Sequence, residues 1–200
     1  MAEPAIQYMT LAEFLRWDDG TDTRWELLDG VPIAMAPPAR ALGMLVTRLG
    51  GRIDAALSAR GECTIQSEAG IVRPDRRDTF YVADLAVSCA PVEAGQQITP
   101  EPVLIIEILS PTTMAEDLQE KIPDYLRIPS VEEVVAIDSR RVFAQVMRRH
   151  GEHWITEIVQ GRESTLSLAS IGLTVTMAEL YDRIPLLEGP RRRPPRRRRR

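Results

Sequence analysis

Two carboxylates and one lysine stand where their chemistry is costly. Glu107 interrupts the apolar run Val103-Leu104-Ile105-Ile106, continued by Ile108 and Leu109, which reads as a strand buried on both faces. A carboxylate there loses its hydration unless a cation or hydrogen-bond donors replace it. Asp84 interrupts Phe80–Val87 in the same way. If the two strands are neighbours, both acids converge within reach of one ion, and hard oxygen ligands suit Mg²⁺ or Mn²⁺. Such an ion polarises a phosphodiester and activates water. The plainer reading places both acids at strand ends, facing solvent. Lys121 is the single lysine among 25 basic residues, the other 24 being arginine. Choosing lysine there asks for a compact point charge with a tunable pKa, able to stabilise charge on phosphorus oxygens or to orient the nucleophile. The plainer reading is an ion pair with Asp117.

The elements that must position these groups are legible in part. Ser110-Pro111 ends the Glu107 strand, and Thr112 or Thr113 can cap a helix with an acidic first turn, Glu116-Asp117. Asp117, Lys121 and Tyr125 recur every fourth residue and share one helix face. Pro123 is expected to kink or end that helix near Ile122. Upstream, Thr10-Leu11-Ala12-Glu13 is a capping box opening a short amphipathic helix. Trp25–Leu28, Asp29-Gly30 and Val31–Ala36 predict a hairpin with a tight turn. Leu42, Leu45, Val46, Leu49, Ile53 and Leu57 predict a helix stopped by Gly61, with Gly50-Gly51 permitting close approach to a neighbour. Strands are expected over Cys63–Val72, Phe80–Cys89, Glu133–Asp138, Val142–Arg148 and His153–Val159. Short strands follow at Leu166–Leu168 and Thr174–Thr176, then a last helix at Met177–Arg183. This order predicts an α/β (α+β) chain with a mixed β-sheet flanked by helices.

Composition bounds the rest. At 44% hydrophobic and 27% charged, 200 residues suit a globular domain over 1–184 and a Pro/Arg-rich disordered tail over 185–200. No apolar run approaches a membrane span and the N-terminus lacks a signal-peptide pattern, so a cytoplasmic protein with no membrane partner is expected. Cys63 and Cys89 lack C-x-x-C spacing and read as small buried apolar residues. His150 and His153 lack a third ligand for zinc. Trp17 and Trp25 read as packing residues, and no phosphate-binding glycine motif is present. The net charge is −4, but eight arginines stand in Arg191–Arg200, leaving −12 on the rest. An acidic body is not a dedicated DNA-binding domain. The tail reads as a phosphate-contacting arm, a tether to RNA or another acidic partner, or an unselected extension of a GC-rich frame.

Several stretches resemble the Uma-type restriction endonuclease family, a branch of the PD-(D/E)XK nuclease superfamily. They are Met9–Leu15 (MTLAEFL), Trp25–Gly30 (WELLDG), Pro37-Pro38, Ala83–Val87 (ADLAV) and IEILSPTT-x3-D-x3-K-x3-Y from Ile106 to Tyr125. The resemblance runs from about Met9 to Arg183. It implies a restriction-endonuclease-like mixed sheet and a Mg²⁺- or Mn²⁺-dependent site that hydrolyses DNA. Asp84 and Glu107 would bind the metal and Lys121 would serve the transition state. Glu26 matches an early acidic residue that assists the site; Asp117 and Tyr125 match helix positions without an assigned role. The lysine of the general superfamily pattern would fall at Leu109, and in this branch it has moved to the following helix. Ala83 stands where the family usually has proline, and a histidine common early in the second helix is absent. The competing expectation is a catalytically inactive nuclease-fold module that binds nucleic acid or protein, and the plainest is a scaffold whose acids only order a polar core. Paired cuts need two sites related by symmetry, which makes a homodimer the expected assembly.

Overall fold

Local chemistry builds the N-terminal part as its sequence predicts. Thr10 caps α1 (Leu11–Phe14) through a reciprocal box: its hydroxyl accepts the Glu13 N–H, and the Glu13 carboxylate accepts the Thr10 N–H at 2.8 Å. Strands β1 (Trp25–Leu28) and β2 (Val31–Ala34) are joined by Asp29 (φ +48°) and Gly30 (φ +81°). Positive φ at both central residues is the signature of a type I′ hairpin turn, which matches strand twist. Helix α2 (Arg40–Ser58) buries Leu45, Leu49, Ile53 and Leu57, and Gly61 (φ +74°) returns its N–H to the Leu57 carbonyl. At Gly50 an added Cβ would stand 3.4 Å from Leu85, so the expected close approach is made against the sheet.

The computed structural model describes residues 8–61, 63–111 and 113–186. Its centre is a six-stranded sheet of β3 (Thr64–Ile71), β4 (Tyr81–Ser88), β5 (Pro102–Leu109), β6 (Glu133–Asp138), β7 (Phe143–His150) and β8 (His153–Gln160), in that order. Only the β5–β6 pair of this sheet is parallel. The β5–β6 connection carries α3 (Met114–Glu116), a π-helical turn (Asp117–Lys121) and α4 (Ile122–Tyr125). A second hairpin, β9 (Thr165–Leu168) and β10 (Leu173–Thr176), precedes α5 (Met177–Leu180).

Alternation along β5 divides the core. Leu104, Ile106 and Ile108 face a cluster with α2, β9, β10 and α5, while Ile105 and Leu109 face a cluster with Ile122, Tyr125 and Ile128. Glu107 shares the second face by the same period. The architecture is therefore a mixed sheet with helices on both faces, as the sequence predicts. The first hairpin is tied to the second face's margin by a bridge between Leu27 and Phe80.

Four expectations change. Cys63 and Cys89 form a disulfide rather than standing as free apolar residues. The β3–β4 register, Thr64 opposite Ser88, carries the two cysteines to facing positions. Pro123 does not end its helix; the preceding turn widens, and Ile122 donates to Asp117, five residues back. Thr113 occupies the N-cap of α3 but makes no side-chain cap, its hydroxyl lying 3.1 Å from that of Ser110. The last helix stops at Leu180, where the Arg48 guanidinium takes the carbonyls of Leu180 and Asp182, both at 2.7 Å. Thr112 and the arginine tail lie outside the described residues. Among the described residues, no helix is long and apolar enough to cross a membrane.

Candidate active site

The site lies where β4 and β5 part. Their ladder pairs Val87 with Leu104, Ala86 with Ile105 and Leu85 with Ile106, and then stops. One step further, side chains take over the backbone donors. The Ile108 N–H donates to Asp84 Oδ2 at 2.6 Å, and the Asp84 N–H points to Glu107 Oε2 at 3.4 Å. On the other side of β4, the ladder runs through Ser67–Leu85 and Ala69–Ala83 without the intervening pair. Glu68, opposite Asp84, has φ +52°, a left-handed conformation that non-glycine residues adopt at a cost. Asp84 thus sits at a local break in pairing on both flanks, and the N–H groups of Asp84 and Ile108 turn to carboxylate oxygens across the fork.

The lysine reaches this fork from the π turn. Lys121 Nζ donates to Glu26 Oε1 at 2.8 Å and lies 3.4 Å from Asp117 Oδ1. Glu26 comes from β1, and its Oε1 also accepts the Val82 N–H at 2.7 Å, tying the hairpin to β4. Tyr125 closes the cluster from α4, its hydroxyl donating to Glu107 Oε1 at 2.7 Å. Glu26, Glu107, Asp117, Lys121 and Tyr125 are each 5% exposed or less. All four residues singled out for chemistry in the sequence therefore converge, together with Asp117 and Tyr125. Leu109, two residues past Glu107, is buried in the apolar cluster.

Charge in this space is tightly coupled. Burial pushes the Asp84 carboxyl up to about 6, with the Ile108 N–H pulling the other way. Burial raises Glu107 well above the ordinary glutamate range, against the nearby Lys121 ammonium. For Lys121, burial favours the neutral amine, but Glu107, Glu26 and Asp117 outweigh it and hold the ammonium charged. Burial and the Glu107 charge raise Tyr125, so it remains a hydroxyl donor.

Residues 11–178 match the Uma2 family, described as "Putative restriction endonuclease". The chain belongs to the Uma2 family. An uncharacterized protein of Synechocystis sp. is 25% identical over 171 residues, spanning 84% of this chain and 89% of the relative. The structure of a protein from Anabaena variabilis, described as a putative nuclease belonging to DUF820, superposes with a TM-score of 0.72 at 20% identity. That match covers 86% of this chain and 97% of the other. Against this Uma2 fold, the two features that residue spacing alone left hidden are the π turn beneath Lys121 and the Tyr125 bond to Glu107. Pro123 was the visible signal of the first, and tyrosine four residues after lysine the signal of the second.

Proposed function

We propose that the chain is a Mg²⁺- or Mn²⁺-dependent endonuclease that hydrolyses DNA phosphodiester bonds, with Asp84 and Glu107 as metal-holding carboxylates. The observation that carries this reading is the strand fork, where both carboxylates and a charged lysine are brought together. The donor set fits a divalent cation. Glu26, Asp84, Glu107 and Asp117 surround one lysine, and the buried Asp117 Oδ1 meets its ammonium at 3.4 Å but accepts no hydrogen bond. Excess buried negative charge of this kind is relieved by a cation. Among the described residues no three-residue His, Cys, Asp or Glu cage is arranged for a metal. Two carboxylates instead match an ion that keeps waters and shares phosphate oxygens.

When bound, such an ion supplies Lewis acidity to the phosphate and lowers the pKa of the attacking water. The chain's own residues do the rest. Lys121, held charged by three carboxylates, is a fixed cation and not a general base. Its role is to stabilise charge gathering on the phosphorus oxygens and to orient the nucleophile. Glu26 enters as the group that positions the ammonium, through the same oxygen that grips Val82.

The test is cleavage of supercoiled plasmid with Mg²⁺ or Mn²⁺ by the unaltered chain, Glu107→Ala, Lys121→Met and a chain ending at Glu188. Metal-dependent nicking is expected, lost in Glu107→Ala and reduced on the order of 10²–10³-fold in Lys121→Met, the scale of removing one transition-state donor. The shortened chain reports whether the arginines supply salt-sensitive DNA affinity. No cleavage across metals and DNA forms would transfer the reading to a non-catalytic binding module. Cleavage surviving in Glu107→Ala would place the chemistry elsewhere.

A further inference from the structure

Tyr125 is buried completely, and its hydroxyl, which needs a partner there, is given to Glu107. The bond occupies Oε1 at 2.7 Å and leaves Oε2 as the oxygen turned toward Asp84, whose N–H lies 3.4 Å away. The terminal torsion of a glutamate sits in a broad well, so a carboxylate on a strand turns easily unless something holds it. The holder here is itself held. The Tyr81 ring meets Tyr125 edge-on at 5.7 Å, and the adjacent Asp124 accepts from Arg73 at 2.7 Å and from the Tyr81 hydroxyl at 2.9 Å. Helix α4 is thereby tied to β4 and to the β3–β4 loop, while its last residue fixes the site carboxylate.

We propose that Tyr125 is a positioning residue that sets which Glu107 oxygen faces a divalent cation, and so sets the cation preference of the site. The inference rests on Asp84 and Glu107 holding such an ion. Mg²⁺ requires near-octahedral ligands at about 2.0–2.1 Å, whereas Ca²⁺ accepts bidentate carboxylates at about 2.3–2.6 Å in flexible geometry. A Glu107 carboxylate released to turn penalises Mg²⁺ far more than Ca²⁺.

The experiment is calorimetric titration of the full chain with MgCl₂ and with CaCl₂, alongside thermal melting, for the unaltered protein, Tyr125→Phe, Tyr181→Phe and Glu107→Ala. Tyr125→Phe keeps the ring and is expected to weaken Mg²⁺ binding about 10–100-fold, the usual cost of losing a group that orients a ligand. Ca²⁺ affinity stays within about threefold, shifting the Mg²⁺/Ca²⁺ ratio in a way that a purely packing role does not. Tyr181→Phe removes a buried hydroxyl in the other core cluster, one that donates to the Asp138 carbonyl at 2.6 Å and touches none of the groups that hold Tyr125, and it leaves that ratio unchanged. An unchanged ratio in Tyr125→Phe overturns the proposal, as does an equal shift in Tyr181→Phe. If the unaltered chain takes up no Mg²⁺, this inference and the nuclease reading fall together; Mg²⁺ bound equally by the unaltered chain and Tyr125→Phe removes this inference alone.

Discussion

Burial holds the Asp84 carboxyl near 6 and lifts Glu107 further above its ordinary range, so both groups are more protonated folded than unfolded. Between the unfolded and folded pKa values the native state binds more protons, and stability falls as pH rises. The stabilising contribution is complete below about 4 and is lost as pH rises through 6 and beyond. The metal-free protein is therefore expected to melt at a lower temperature at pH 8 than at pH 5. Glu107→Gln removes the charge that must be forced into the cluster, so its melting temperature at pH 8 should exceed that of the unaltered protein by several degrees. The scale is about 2–4 °C per kcal/mol for a domain of this size. A melting curve for both proteins at the two pH values decides the point, and a lower value for Glu107→Gln at pH 8 would show the carboxylate to be net stabilising. A residue that costs stability where it stands, yet is kept in the cluster, is the expected mark of a site built for chemistry.

At the scale of elements, the same cluster depends on a turn that helical periodicity could not foresee. A four-residue repeat correctly puts Asp117, Lys121 and Tyr125 on one side, but it assumes α-helical closure throughout. Pro123 has no N–H, and its ring would press on the Gln119 carbonyl in a regular helix. The chain answers by widening the turn before it, with Ile122 bonded to Asp117, and the helix continues through Tyr125. The two site strands, β4 and β5, were readable because each is an apolar run broken by one carboxylate, and the first hairpin because Asp29-Gly30 admits positive φ at both turn residues. The fork between β4 and β5 was not, because it arises where a backbone ladder ends, and nothing in residue type marks that place. Pro123→Ala restores the missing donor and allows the turn to close to α, rotating Asp117 relative to Lys121 and Tyr125 by up to about 100°, one residue's share of a helical turn. Thermal stability should hold or rise while plasmid cleavage drops about tenfold or more. An unchanged rate would mean that the grip of Glu26 and Asp117 on Lys121, rather than the proline, keeps the turn wide.

Across the whole molecule, the β3–β4 pair joins two unlike places, its Cys63 end and its middle. One carries the Cys63–Cys89 disulfide and the other the break at Asp84, with the pairs from Thr64–Ser88 to Ser67–Leu85 between them. The cysteines were read as unpaired because a separation of 26 residues says nothing until strand register is known. Their bond closes a loop of that length, worth roughly 3 kcal/mol through the entropy of the unfolded chain. Reduction, or the double change Cys63→Ser and Cys89→Ser, should therefore lower the melting temperature by about 6–12 °C. Cleavage at 25 °C should remain within about twofold, because the intervening ladder and the Leu85 contact with α2 hold the Asp84 break independently of the bond. Melting and plasmid cleavage measured with and without reductant separate the alternatives. A loss of activity with little change in melting would mean that strain passes along β4 to the fork, making the disulfide part of the site's support instead of a clamp on the fold.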